Sequence, residues 1–148
     1  MLPCLISIET LNIQYLYQLK PTLNQGKQIT GGGNIVFKLL ADHDELLIHQ
    51  FLHRIQSPHN HTIPLLEVIP SDIGPIILMP PAWPLNSINI QPIAEHLMSQ
   101  LMEGIRFMHQ HKVAHLNLKP NNILVRGEQL WIINFSLSVR VSSADTMI

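Results

Sequence analysis

Residues 115–125 of the chain have the sequence HLNLKPNNILV, and residues 134–136 have the sequence NFS. The apolar runs 122–125 and 129–133 are separated by Arg126-Gly127-Glu128, which predicts a β-hairpin between the two motifs. On residue types alone, this stretch is either a buried histidine beside an ordinary loop and hairpin or a segment that carries chemistry.

The order and spacing of these residues resemble the catalytic segment of a Ser/Thr protein kinase. In that family HRD opens the catalytic loop, a later Asn binds a metal ion, and DFG after the next hairpin supplies the main metal carboxylate. The resemblance places His115 at the loop histidine, Asn117 at the catalytic Asp and Lys119 in the LKP signature. It also places Asn122 at the metal-binding Asn and Asn134 at the DFG Asp. Both acidic positions of the family are therefore amides in this chain.

The replacement of these two acids by amides predicts a loss of phosphoryl transfer. The family's Asp accepts a hydrogen bond and a proton from the attacking hydroxyl, and the neutral amide of Asn117 cannot act as that base. Mg²⁺ prefers anionic oxygen ligands, so the carbonyl of Asn134 predicts weak metal binding even though Asn122 is kept. The resemblance thus implies weak ATP binding, little use of Mg²⁺ and little or no phosphoryl transfer.

The upstream region predicts a small β-rich part with one helix. Glycines at 31–33 form a turn signal before the β-branched and aromatic run 35–40, which predicts a strand. Apolar residues spaced three, four and seven apart predict an amphipathic helix over 45–55, capped by Asp42 or Asp44.

The middle of the chain predicts a hairpin, a hinge and a long helix. The β-rich runs 63–69 and 75–79 predict the hairpin. The proline-rich segment 80–84 is incompatible with a helix or a central strand, which predicts an extended hinge between two lobes. Residues 93–109 predict an amphipathic helix. Its apolar stripe consists of Leu97, Met98, Leu101, Met102, Ile105 and Met108.

The kinase resemblance extends through these upstream elements. Lys38 lies in a Val-Phe-Lys run that resembles the family's VAIK strand, and Glu45 stands where its partner on the following helix would be. These two residues are closer in sequence than is usual in the family. Met79 matches the gatekeeper position, and Pro81 and Ala82 match the backbone at the adenine edge of the nucleotide site. A GxGxxG loop is missing from the sequence.

These features predict an α+β, protein-kinase-like fold. It would comprise a poorly defined segment at 1–30, a small β-rich N-lobe with one helix at 31–79, a Pro-rich hinge at 80–84, and the first part of a helical C-lobe at 85–148. Because the chain ends soon after NFS, we expect a truncated domain that lacks the helices which bind peptide substrate in the family.

Composition narrows the classes of partner and compartment. The 148 residues carry a net charge of −1, with 13% charged and 46% hydrophobic residues, so neither nucleic acid nor a membrane is an expected partner. Cys4 is the only cysteine, which favours a reducing intracellular compartment, cytoplasmic or nuclear. No basic segment precedes the apolar N-terminus, and prolines interrupt the longest uncharged stretch, 73–94, so neither a signal peptide nor a transmembrane segment is predicted.

The apolar stripe at 97–108 and the histidines are the remaining candidate sites. In the family a helix beyond this chain's end covers that stripe, so we expect a protein partner or self-association there. His59 with His61, and His111 with His115, have spacings that could bind a metal ion. No carboxylate or cysteine accompanies either pair at ligand spacing, which favours solvated or core histidines.

The sequence therefore favours a truncated pseudokinase, acting as an intracellular nucleotide-binding or scaffolding module. Two alternatives stay open. The first is an active Ser/Thr kinase, in which Lys38, Lys119 and Asn122 still position ATP for transfer to protein substrates. The second is a kinase fragment without a function of its own.

Overall fold

The structure is a computed structural model that describes residues 13–20, 23–28 and 33–141. Cys4 and the first two glycines of the predicted turn lie outside the described residues. No helix within the described part of the chain is long and apolar enough to cross a bilayer.

The chain divides into two compact units. The first contains the described residues up to His43 together with Pro64–Ala82, and the second contains Asp44–Ile63 and the described residues from Trp83 onward. The boundary after Ala82 falls within the predicted hinge. Residues 44–63, which the sequence assigned to the N-lobe-like segment, belong to the second unit because they make most of their contacts there.

The first unit is a five-stranded antiparallel sheet with the order β1-β2-β3-β5-β4. Its strands are β1 (Ile13–Lys20), β2 (Leu23–Gln28), β3 (Asn34–Leu39), β4 (Glu67–Ile69) and β5 (Ile76–Met79). The predicted strand and first hairpin are confirmed. Strands β1 and β2 correct the description of 1–30 as poorly defined. The polar sequence LNQGKQ of β2 has no strand pattern of its own, and its place in the sheet comes from backbone pairing with β3.

The β3–β5 register gives this sheet two different faces. Phe37 lies opposite Leu78, and both belong to the apolar cluster of the unit. Lys38 lies opposite Ile77, and Val36 opposite Met79. Because side chains alternate along a strand, Lys38 and Met79 share the face opposite that cluster.

The turn between β4 and β5 depends on a glycine. Gly74 has a φ of 132°, and a Cβ added there would lie 2.5 Å from the carbonyl oxygen of Leu40. Any other residue would combine backbone strain with a clash against the main chain.

The second unit combines two helices with short antiparallel strands. The helices are α1 (His43–His53), which begins at the last residue of the first unit, and α2 (Ala94–Gln110). The strands are β6 (Trp83–Pro84), β7 (Val113–Ala114), β8 (Ile123–Arg126), β9 (Gln129–Ile132) and β10 (Val139–Arg140). They form one sheet in the order β6-β8-β9 and a β10-β7 pair. Both predicted helices and the second hairpin are confirmed. Because α1 begins at His43, Asp44 lies inside its first turn and only Asp42 precedes the helix.

Helix α2 buries two of the six residues of its predicted apolar stripe inside the second unit and partly buries two more. It packs against β9, and the shared core includes Leu97, Phe107, Met108, Leu130 and Ile132. This corrects the expectation that Met108 is available to a partner. Leu101 and Ile105 pack at the edge of the same core, which leaves two exposed members of the stripe, Met98 (57% exposed) and Met102 (51% exposed).

Candidate functional site

His115 anchors the loop between β7 and β8. The side chain is 2% exposed, and its Nε2 lies 2.8 Å from the carbonyl oxygen of Ile133. Its Nδ1 accepts the backbone N–H of Asn117 at 3.2 Å. An N–H can only donate, so Nδ1 carries the lone pair and Nε2 carries the proton. Burial lowers the pKa of His115 below its ordinary 6.5, which favours the neutral ring over the charged one.

Phe135, the central residue of NFS, packs against two buried imidazoles. Its ring centroid lies 4.9 Å from that of His49 and 5.6 Å from that of His115. His49 lies on α1, where its Nε2 meets the carbonyl oxygen of Ile63 at 2.8 Å. The sequence did not identify His49, because a histidine among the apolar residues of a helix has no local pattern that predicts a hydrogen bond to a distant carbonyl oxygen.

The asparagines of the two motifs form a continuous hydrogen-bonded chain, here called the amide relay. Ser136 donates through its Oγ to Asn134 Oδ1 at 2.7 Å, and its backbone N–H faces the same oxygen at 3.4 Å. Asn134 Nδ2 donates to Asn122 Oδ1 at 3.0 Å. Asn122 Nδ2 then donates to the carbonyl oxygen of Asn117 at 2.7 Å. Asn122 is fully buried. The relay therefore joins NFS directly to the predicted catalytic loop.

This arrangement does not fit the Mg²⁺ ion that the kinase resemblance implies at Asn122 and Asn134. Each of the two amide oxygens already accepts a hydrogen bond, and Asn134 turns its NH₂ group toward Asn122. An NH₂ group is the positive end of an amide and cannot bind a cation. Within the described residues no group of three or more His, Cys, Asp or Glu side chains is arranged to hold a metal ion.

Two residues of the loop region have left-handed backbone conformations. Asn134 has a φ of 67°, which asparagine tolerates. Leu116 has a φ of 65°, and its side chain is 64% exposed. For an ordinary L-residue this conformation costs about 1–2 kcal/mol. The Asn117 N–H donates to Nδ1 of His115, so this hydrogen bond spans Leu116.

The predicted nucleotide-site residues divide between the two units. In the first unit Lys38 is buried on the same sheet face as Met79, Pro81 is half-buried and Ala82 is fully buried. Glu45 is buried on α1 in the second unit. The pairing of Lys38 with Glu45 stays a prediction.

Lys119 is exposed, and it directly precedes a short 3-10 turn at Pro120–Asn122. That turn ends at β8 and brings Asn122 into the core of the second unit. The Lys-Pro dipeptide therefore leads the chain from solvent to Asn122, the buried member of the relay.

The histidine pair at 59 and 61 contacts a carboxylate that lies far away in sequence. His61 Nε2 lies 2.8 Å and His59 Nδ1 lies 3.2 Å from the same Oε1 atom of Glu103 on α2. Hydrogen bonds from His61 and then from His59 lower the pKa of Glu103 below its ordinary value. The sequence did not predict this contact, since Glu103 is 42 residues from His61.

Comparisons with known proteins agree with the motif pattern. Residues 84–147 match the family model described as protein kinase domain. The chain is 34% identical over 100 residues to the probable serine/threonine-protein kinase HAL5-like of Eremothecium gossypii, which covers 67% of this chain and 14% of that protein. It is 26% identical over 108 residues to serine/threonine-protein kinase CAK1 of Saccharomyces cerevisiae, covering 68% and 29% of the two chains.

A third relative matches a shorter part of the chain. The chain is 40% identical over 57 residues to serine/threonine-protein kinase 17A of Oryctolagus cuniculus, which covers 36% of this chain and 14% of that protein. The chain therefore spans between 14% and 29% of the length of these three relatives.

Proposed function

The chain contains a domain of the protein kinase superfamily, and we propose that it acts as a pseudokinase-like module. In this proposal the module keeps the hydrogen-bonded frame of a Ser/Thr kinase catalytic loop but transfers phosphate weakly or not at all. Protein kinase domains generally use ATP and Mg²⁺, so the proposal concerns which of those properties this chain retains.

The hydrogen bond from Asn134 Nδ2 to Asn122 Oδ1 carries the proposal. A kinase places a carboxylate at the first of these positions so that a metal ion can neutralise the charge of the phosphates. Here that position presents a hydrogen-bond donor instead. Asn117 adds a second deficit, because a neutral amide cannot accept the proton of a substrate hydroxyl.

Nucleotide binding without a metal ion is the activity that we propose for the retained residues. Lys38 and Met79 share one face of the first unit's sheet, which supports a role for Lys38 at the phosphates and for Met79 near the base. Since this role of Lys38 requires no metal ion, we expect any affinity for ATP to be the same with Mg²⁺ and with EDTA.

Phosphate incorporation from radiolabelled ATP into generic protein substrates tests the catalytic part. We expect the wild-type chain to transfer phosphate far more slowly than about 1 s⁻¹, the lower end for kinases. Incorporation at that rate or faster would contradict the proposal and favour an active Ser/Thr kinase.

Thermal unfolding with ATP tests the nucleotide part. We expect a stabilising shift that is equal in Mg²⁺ and EDTA and is removed by Lys38→Ala. Lys27→Ala is the matched control, because Lys27 is an exposed lysine on β2 of the same sheet. A shift that vanishes in EDTA would contradict metal-free binding, and no shift at all would favour a scaffold or a fragment without function.

A protein contact through α2 is a second candidate function. Met98 and Met102 lie one turn apart on that helix, and both are more than half exposed. Met102 also borders a cavity of about 420 Å³ with Ile105, Arg106 and His109. We propose that this smaller surface, rather than the whole stripe at 97–108, contacts a protein partner or a second copy of the chain.

A further inference from the structure

The orientation of both side-chain amides in the amide relay follows from the backbone groups at its two ends. At one end the N–H of Ser136 faces Asn134, and since an N–H only donates, the facing atom is the oxygen. At the other end the carbonyl oxygen of Asn117 faces Asn122, and since a carbonyl only accepts, the facing atom is the NH₂ nitrogen. Asn134 must therefore donate to Asn122, and the reverse polarity would break a bond at each end.

We infer that the amide relay replaces a metal ion as the link between the catalytic loop and the NFS segment. A divalent cation would join the two segments by attracting one oxygen from each. Here the NH₂ group of Asn134 supplies the positive partner for Asn122 Oδ1, so the link is complete without a cation. This inference deepens the proposed function and rests on it for identifying the loop, but it does not depend on nucleotide binding.

The burial of Asn122 makes this link matter for stability. Its side chain is 0% exposed, and its backbone carbonyl oxygen also accepts the N–H of Ile133 at 3.0 Å. Loss of the Asn134 donor would therefore leave Oδ1 facing another oxygen in a place where water has little access. An unsatisfied buried acceptor of this kind is costly.

Ser136 is a positioning residue in this arrangement. Its hydroxyl and its N–H both engage Asn134 Oδ1, which turns the NH₂ group of Asn134 toward Asn122. The kinase motif has glycine at this position, and glycine offers no hydroxyl. The two differences between NFS and DFG therefore serve one hydrogen bond, because Asn134 supplies its donor and Ser136 orients that donor.

The exchange Asn134→Asp tests the inference, because it replaces the donor by a carboxylate of nearly the same size. In EDTA, and without nucleotide, we expect the melting temperature to fall by roughly 3–10 °C relative to wild type. Addition of 10 mM Mg²⁺ should restore at least half of the loss in this variant and leave wild type unchanged.

The matched control is Asn121→Asp. Asn121 is exposed, and its Oδ1 accepts a hydrogen bond from Asn86 at 2.9 Å, a role that a carboxylate oxygen also fills. We expect little change in its melting temperature with either Mg²⁺ or EDTA. A similar Mg²⁺ response in this control would show nonspecific binding of the ion to the added charge and would overturn the inference.

A milder variant covers the case in which Asn134→Asp does not fold. Ser136→Gly keeps both asparagines but removes one of the two bonds that orient Asn134. We expect a smaller loss of melting temperature without any response to Mg²⁺, together with faster solvent exchange of the Asn134 side-chain NH₂ protons in NMR spectra.

Besides a Mg²⁺ response of the control, three results would overturn the inference. They are stabilisation of the wild type by Mg²⁺, an Asn134→Asp protein as stable in EDTA as the wild type, and a destabilised Asn134→Asp protein that Mg²⁺ does not restore. Since none of these measurements includes ATP, a failure of metal-free nucleotide binding would leave them unaffected, and the two failures can be told apart.

Discussion

Replacement of His115 by leucine should destabilise the second unit more than most single substitutions. Leucine retains apolar bulk but removes the bonds to the Ile133 carbonyl oxygen and to the Asn117 N–H. Each buried group left without a partner costs about 1–3 kcal/mol, so we expect a loss of about 2–5 kcal/mol in the free energy of unfolding. For a chain of this size that corresponds to a fall of roughly 5–15 °C in melting temperature.

A second variant, His115→Gln, separates the two bonds. Glutamine carries an amide donor within reach of the Ile133 carbonyl oxygen but leaves the Asn117 N–H without its acceptor. We therefore expect about half of the loss, roughly 1–3 kcal/mol. Chemical denaturation followed by circular dichroism measures both variants. His109→Gln, at an exposed histidine near the end of α2, is the control and should change stability by less than about 0.5 kcal/mol.

The pH dependence of stability gives an independent check on His115. Burial lowers its pKa in the folded state, so the unfolded state binds more protons as the pH falls. Its contribution is fully present above the unfolded pKa of about 6.5 and is lost progressively as the pH falls through that value toward the lower folded pKa. Both His115 variants should lack this component. A leucine variant as stable as the control, or with the pH profile of wild type, would refute the role assigned to His115.

Glu103→Gln should reduce the loss of stability in acid. His61 and His59 lower the pKa of Glu103 in the folded state, so its carboxylate contributes stability above about pH 4.5 that is lost as the pH falls through the folded pKa. Glutamine does not titrate and has no such component. Denaturation curves of the variant at several pH values below 5 that coincide with those of wild type would contradict this prediction. Met102→Glu should weaken any self-association that is insensitive to salt, because it places a charge between apolar surfaces next to the exposed Met98. Light scattering at tens of micromolar measures this effect, and a monomeric wild type would exclude self-association through this surface.

Much of the fold could be predicted from local patterns. The strand containing Lys38, both hairpins and both helices were predicted within a few residues, because alternation, helical spacing and turn residues act over short distances along the chain. Strands β1 and β2 were missed. Strand β2 pairs through its backbone with β3, and β1 pairs with β2, and the polar residues of β2 give no local sign of either pairing.

The candidate site was predicted in composition but not in geometry. The loss of both family carboxylates is visible in the residues at 117 and 134 alone. The sequence does not show which residues of the α2 stripe are covered, because Met98 and Met108 are the same residue type on the same predicted stripe. The packing of α2 on β9 buries Met108 and leaves Met98 exposed. Whether a helix residue is exposed depends on whether another element packs against its side of the helix.

The sequence by itself determined the kinase-like motif, its two acid-to-amide exchanges, both helices, both hairpins and strand β3, since all of these lie in adjacent residues or short repeats. The tertiary structure alone decided which atoms of Asn122 and Asn134 face each other, and that Glu103 meets His61. An amide can present either a donor or an acceptor, and only the backbone groups brought to it by folding select one of them.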